Sequence, residues 1–365
     1  MDGGGYAVEV CDAAYAGRAA ACSIRGAGAR QTIRATLISQ GTMFVGGRMV
    51  IDAAGKVEAV GCHIPEPDDA VVLDCPGALV SAGLINLHEH IDYSYQQPAR
   101  PPVLKWQHRN EWRRLPAEVR GFEGDAPKDK QVQAEVAERA MLRHALSGTT
   151  ALSGAKDFNA FLRNLRLTDA PLATPFGAAV LDNTFPVNDA ASMAVLAQPC
   201  DAAQVAAVKF NPAQAFIPHV GEGTGDGARH EVDCVLDAIQ GKRTPSAFIH
   251  GVAISQAQVA RLKAQNVAVV LSPRSNLQLY GAAAPVAALK AGGVTLGLGT
   301  EVGTKVVFSM TNLQLSSEQW LYEEVRQFLV PRERPGHAPN SLWQILAVTQ
   351  LQQSLRSPRF SAEGT

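Results

Sequence analysis

Two rhythms of hydrophobic and polar positions divide the chain. From Thr32 to Val80, short β-branched runs are separated by Gly, Asp and Pro turn signals, notably Asp52 to Gly55 between Val50-Ile51 and Val57. This pattern predicts a small β-module over residues 31–80. From Leu79 onward, apolar runs of strand length alternate with longer helical stretches, the pattern of βα units on a parallel sheet. The candidate strands are Leu79–His88, Thr149–Gly154, Phe176–Asp182, Ala206–Phe210, Ala215–Val220, Ser246–Gly251, Val267–Ser272 and Val294–Gly299. Helices are predicted at Lys130–Leu146, which ends at a Gly148 suited to a helix terminus, at Ile254–Ala264 and at Ser341–Leu355. The expected class is α/β, a (β/α)8 TIM-type barrel over residues 81–355 with a tail at 356–365. Residues 1–30, rich in Ala and Gly without sustained periodicity, are expected to be a disordered or poorly docked leader.

Composition narrows the partners. A 46% hydrophobic share is enough for a barrel core plus a small module. The 33 basic and 34 acidic residues leave a net charge of -1, which excludes an electrostatic footprint for nucleic acid or an anionic membrane. No apolar run approaches the ~20 residues that span a bilayer, and the acidic N-terminal segment does not read as a secretory signal. A soluble, cytoplasmic protein is the expectation. The six cysteines form no CxxC pair and are read as reduced structural thiols.

In a parallel barrel, polar residues at the C-terminal ends of apolar strands face a common mouth. Four such places stand out. Strand alternation puts His88 and His90 on one face, where two imidazoles can converge on a cation. Alone, such a pair is equally at home on a surface or in a core. The run Ala215–Val220 carries His219, with Glu222 three residues on, a third nitrogen ligand and a proton-carrying carboxylate. The run Ser246–His250 ends in His250, and Val294–Thr300 leads into Glu301. Each is ambiguous singly. Together they are an ordered constellation in a chain with only nine histidines. The loop after the first strand, with Tyr95, Trp106 and Arg109, mixes aromatic and cationic side chains as substrate-recognising loops do, and Asn276 follows the seventh strand.

These residues, with Gly55–Gly61, Ser81–Asn86, Ser272–Asn276 and Gly297–Thr300, resemble the amidohydrolase superfamily in its mononuclear deaminase and chlorohydrolase-like branch, over about residues 32 to 350. The resemblance implies one divalent metal, Zn²⁺ or Fe²⁺, held by His88, His90, His219 and Glu301. It further implies a proton shuttle at Glu222, a water-orienting His250, and hydrolysis of a C–N bond by deamination or amide opening. Tyr95, Trp106, Arg109 and Asn276 would contact a small-molecule substrate. Lys209, ten residues before His219, is read as structural or substrate-facing rather than as a bridging ligand.

Two departures matter. The family ends its eighth strand in Asp, where this chain has Glu301, and it returns to the β-module after the barrel, where this chain stops at Thr365. An incomplete β-module is therefore expected, its open edge covered by a second copy in a homodimer or by the leader. An uncompensated Glu301, one methylene longer than Asp, would give a metal-binding but sluggish protein. A catalytically impaired relative kept for ligand or partner binding is thus the second reading.

Overall fold

In the computed structural model, residues 7–17, 21–95, 97–98, 105–113, 115, 122–123, 127–146, 148–158, 162–166, 180–187, 195–212, 214–242 and 244–301 are described. They fall into two compact units divided at Gly83–Leu84. The helix expected at 341–355 lies outside the described residues.

The first unit is a six-stranded sheet of β1 (Ala7–Val10), β2 (Ser23–Arg25), β3 (Arg30–Ser39), β4 (Thr42–Ile51), β5 (Val57–Gly61) and β6 (Ala70–Ser81). Its order is β1-β4-β3-β6-β2, with β5 also on β4. The predicted turn joins β4 to β5: Asp52 accepts backbone N–H bonds from Ala54 and Lys56 through Oδ1, and Gly55 takes the left-handed φ of 78°. Ala35, Leu37 and Cys75 form the core of this unit, flanked by Ile33, Phe44, Met49, Val60 and Leu73.

The leader expectation is corrected here. Residues 7–25 supply β1 along β4 and β2 along β6. Cys11–Cys62 and Cys22–Cys75 disulfides tie both strands down, and a third disulfide joins Cys200 to Cys234. All six cysteines are paired, not reduced. Their partners lie 51, 53 and 34 residues apart, so a search for local CxxC spacing had nothing to find.

Among the described residues, the second unit contains two sheets of parallel strands, one of three and one of five. β7 (Leu84–Asn86), β10 (Thr149–Leu152) and β11 (Arg163–Asn164) make one sheet, in the order β11-β10-β7. β12 (Val180–Thr184), β13 (Ala215–Val220), β14 (Ser246–His250), β15 (Val267–Leu271) and β16 (Leu296–Leu298) follow in sequence order in the other. Leu87 N–H donates to Leu298 O at 3.0 Å and Glu301 N–H to His88 O at 3.0 Å, so backbone bonds bridge the β7 and β16 edges. No ladder joins β11 to β12 among the described residues. An antiparallel pair of two-residue strands, β8 (Gln97–Pro98) and β9 (Phe122–Glu123), lies between β7 and β10 in the chain.

Among the described residues, the helices of this unit are α1 (Arg109–Arg113), α2 (Lys130–Leu146), α3 (Ala202–Ala206), α4 (Asp226–Ile239), α5 (Gln256–Ala264), α6 (Pro273–Tyr280) and α7 (Val286–Ala291). α2 forms over the predicted range. α4 buries Ala228, Glu231, Val232, Val235 and Ile239, a helical stripe that faces the sheet. The strand expected at Ala206–Phe210 is absent: Asp201 and Gln204 form a capping box that starts α3, and Ala206 is the last residue of that helix.

Candidate active site

The pleat of β7 and the turn after it carry His88 and His90 into a cluster with His219, at the end of β13, and His250, the last residue of β14. Ring centroids lie 4.8 Å apart for His88–His90 and for His88–His219, and 5.3 Å apart for His88–His250. Glu301, three residues past β16, reaches the same point. Its Oε2 is 2.8 Å from His88 Nε2 and 3.5 Å from His250 Nε2, and its Oε1 is 3.6 Å from His90 Nε2. All five side chains are buried.

Backbone geometry concentrates strain here. His250 and Glu301 have φ of 73° and 54°, left-handed values that cost a non-glycine residue about 1 to 3 kcal/mol. Gly299 permits the approach of β16 to the cluster, because a Cβ there would lie 2.5 Å from the Cβ of His88.

Two groups of potential ligand atoms are each mutually within 4.8 Å: His88, His219 and His250, and His88, His90 and Glu301. Imidazole and carboxylate donors in this number suit zinc or iron. The residues therefore fit a divalent cation. Lys209 is exposed, away from any bridging role.

Glu222 sits beside this cluster, its Oε1 3.7 Å from His250 Nε2. Tyr280, at the end of α6, donates from its hydroxyl to the same Oε1 at 2.7 Å, and Trp112 Nε1 donates to the Tyr280 oxygen at 3.0 Å. Burial, then the neighbouring Glu222 charge, pushes the Tyr280 phenol well above its ordinary pKa, which keeps it a donor.

The expected substrate contacts have mixed placements. Tyr95 is half-buried just past the turn Ile91–Tyr93. Trp106 packs against the cluster of Trp112, Val252, Leu279 and Tyr280. Arg109 is fully buried: its NH1 donates to Glu231 Oε2 at 2.7 Å, its NH2 bonds Glu231 Oε1 and Val187 O, and its backbone N–H donates to Glu222 O at 3.1 Å. Glu231 Oε2 also accepts from Gly221 N–H at 2.9 Å. This guanidinium braces the turn that carries Glu222. Asn276 Oδ1 lies 2.8 Å from His250 Nδ1 and fixes that ring.

Residues 105–107 after β7 are thus pinned to their neighbours. Lys105 Nζ donates to Gln278 O, Trp106 N–H to Leu279 O, and Thr224 and Gly225 donate to Gln107 O. Sequence reasoning missed Tyr280, Glu231 and Asp182. Asp182 ends the apolar run of β12, the same strand-end signal that exposed the histidines. It accepts from Ser153 Oγ at 2.6 Å, and burial raises its pKa.

Comparison with known proteins gives neither a matching family model nor a matching curated protein. Solved structures do match. An adenosine deaminase from Xanthomonas campestris with bound zinc is similar at TM-score 0.48 and 16% identity, over 90% of this chain and 76% of that one. Aminofutalosine deaminase from Helicobacter pylori in complex with methylthio-coformycin is similar at 0.48 and 13%, over 88% and 85%. Guanine deaminase from C. acetobutylicum with bound guanine is similar at 0.48 and 13%, over 82% and 81%.

Proposed function

We propose that the chain is a metal-dependent hydrolase of C–N bonds in a small molecule, by deamination of a heterocycle or opening of an amide or cyclic amide. The supporting observation is the convergence of four imidazoles and a carboxylate at the ends of parallel strands, with ligand atoms within 4.8 Å in each group. Closure of the eight strands into a (β/α)8 barrel belongs to the same reading, supported by the bonds between β7 and β16.

In this reading His88, His90, His219 and Glu301 hold one zinc or iron ion, and His250, steadied by Asn276, faces the same point. A divalent cation in such a set would supply Lewis acidity and bring the pKa of water down toward about 7. Glu301 takes at Oε2, beside His250, the proton that the attacking water gives up as its oxygen bonds to the substrate carbon. Glu222 holds a proton on its carboxyl and delivers it to the leaving nitrogen, with Tyr280 fixing the angle of that carboxyl through Oε1. The buried wall of Trp112, Tyr280 and Val252 keeps bulk water from that side.

The catalytically impaired alternative stands on the length of Glu301. Its carboxylate already touches His88 and His250, which favours the competent reading. For the compartment, three disulfides favour an oxidising one over the cytoplasm. No helix among the described residues is long and apolar enough to cross a membrane.

The test is metal content of protein purified without chelator, together with ammonia release over amino-heterocycles and cyclic amides. One equivalent of metal and turnover of a panel member are expected. A ratio near two, or near zero after refilling with zinc and iron, would sink the reading.

A further inference from the structure

We infer that His108 is a substrate-facing hydrogen-bond donor that selects small molecules bearing an sp² acceptor, a ring nitrogen or carbonyl oxygen, near the atom that Glu222 serves. The assignment of a task to Glu222 rests on the hydrolase reading; the donor and its placement do not.

The tautomer follows from a backbone bond. Asn110 N–H donates to His108 Nδ1 at 3.2 Å, so Nδ1 is an acceptor and the ring proton sits on Nε2. His108 is only 2% exposed, and Nε2 has no hydrogen-bond partner among the described residues. A buried donor without a partner is costly, and in native structures it marks a group that something else satisfies.

Its position says what that something is. Gly223, which follows Glu222, is pressed against this segment: a Cβ there would lie 2.8 Å from His108 Cα and 2.1 Å from Gln107 O. The next residue, Arg109, donates its backbone N–H to Glu222 O. His108 is therefore locked beside the carboxylate at the mouth, with Arg109 and Glu231 holding the segment in place. Burial, reinforced by the Arg109 charge, brings its pKa down to about 3, so the ring is neutral and donating across the physiological range. A site that presents a fixed buried donor rejects ligands lacking the acceptor, because the donor is then left unsatisfied.

Purine is a suitable probe, with ring-nitrogen acceptors and no exocyclic amine to lose. It is titrated by calorimetry into the full-length, zinc-refilled protein beside its 1-deaza, 3-deaza and 7-deaza analogues, each short of one acceptor. One analogue is expected to bind at least about tenfold more weakly than purine. That difference should vanish in His108→Phe and return in His108→Gln, whose amide N–H falls near the place of Nε2. In parallel, long-range ¹⁵N spectra of histidine-labelled protein should show the proton on Nε2 with no titration between about pH 5 and pH 8. Equal binding of all four probes, no binding of purine, the same discrimination in His108→Phe, or a proton on Nδ1 would each overturn the inference. His108-dependent purine binding without hydrolysis of any panel member removes the hydrolase reading and keeps this one. Hydrolysis with His108-independent binding does the reverse.

Discussion

The hydroxyl of Tyr280 donates a 2.7 Å hydrogen bond to Oε1 of Glu222, 58 residues away in sequence. Both groups are buried, and the same hydroxyl accepts from Trp112 Nε1. Tyr280→Phe removes an acceptor and a donor at once, leaving the indole N–H and one carboxylate oxygen short of a partner, at a cost of about 1 to 3 kcal/mol. We expect a lower melting temperature, unchanged metal content and at least about a tenfold loss of kcat, the effect of a carboxyl no longer held in its working angle. A variant that keeps full activity would remove Tyr280 from the site.

Glu222 and His219 are separable by metal analysis. Glu222→Gln should retain the cation yet lose about a hundredfold or more in rate, the scale of a positioned acid or base. His219→Ala should lose the cation itself, because one of about four ligands is gone. Metal loss in Glu222→Gln would mean that Glu222 coordinates.

Glu301→Asp tests length. The carboxylate would retreat by roughly 1.5 Å, one C–C bond, from a position 2.8 Å from His88 Nε2. Metal affinity and rate should both fall, since about 1 Å of misplacement can cost about a hundredfold. A gain in activity on any panel member would instead restore the impaired-relative reading.

His108 gives a signed pH dependence. Its folded pKa is depressed from 6.5 to about 3, so between those values the unfolded chain binds more protons than the native one. Stability therefore rises with pH through that window, and is lost as pH falls below about 6.5, by up to about 1.4 kcal/mol per pH unit from this group. Denaturant titrations of wild type and His108→Gln should diverge below that pH, the variant losing less on acidification. Parallel curves would show that His108 titrates normally.

Much of the candidate site was readable from strand ends. Period-two alternation put His88 and His90 on one face, and apolar runs that stop at a His or a carboxylate located His219, His250 and Glu301. The ligand-type side chains at those positions are signalled locally. The partners that hold them are not: Tyr280, Glu231 and Asn276 meet Glu222, Arg109 and His250 through contacts that only the tertiary fold creates. Arg109 shows the risk, since a cation in a mouth loop looks the same in sequence whether it faces ligand or a buried Glu. The strand expected at Ala206–Phe210 failed for a local reason, because the Asp201–Gln204 cap was present in the sequence and outranked a short apolar run. The leader failed for a distant one, as strands of four and three residues gain their order from β4, β6 and two covalent ties.

Those two ties interleave. One closes the chain from Cys11 to Cys62 and the other from Cys22 to Cys75, so every peptide bond between Cys22 and Cys62 is spanned twice. A protease that cuts at the turns near Gly41 or Gly55 would leave two fragments still joined through sulfur, migrating as one band until a reductant parts them. Cutting either disulfide alone would not release the piece, so a nicked first unit comes apart only when both disulfides are reduced.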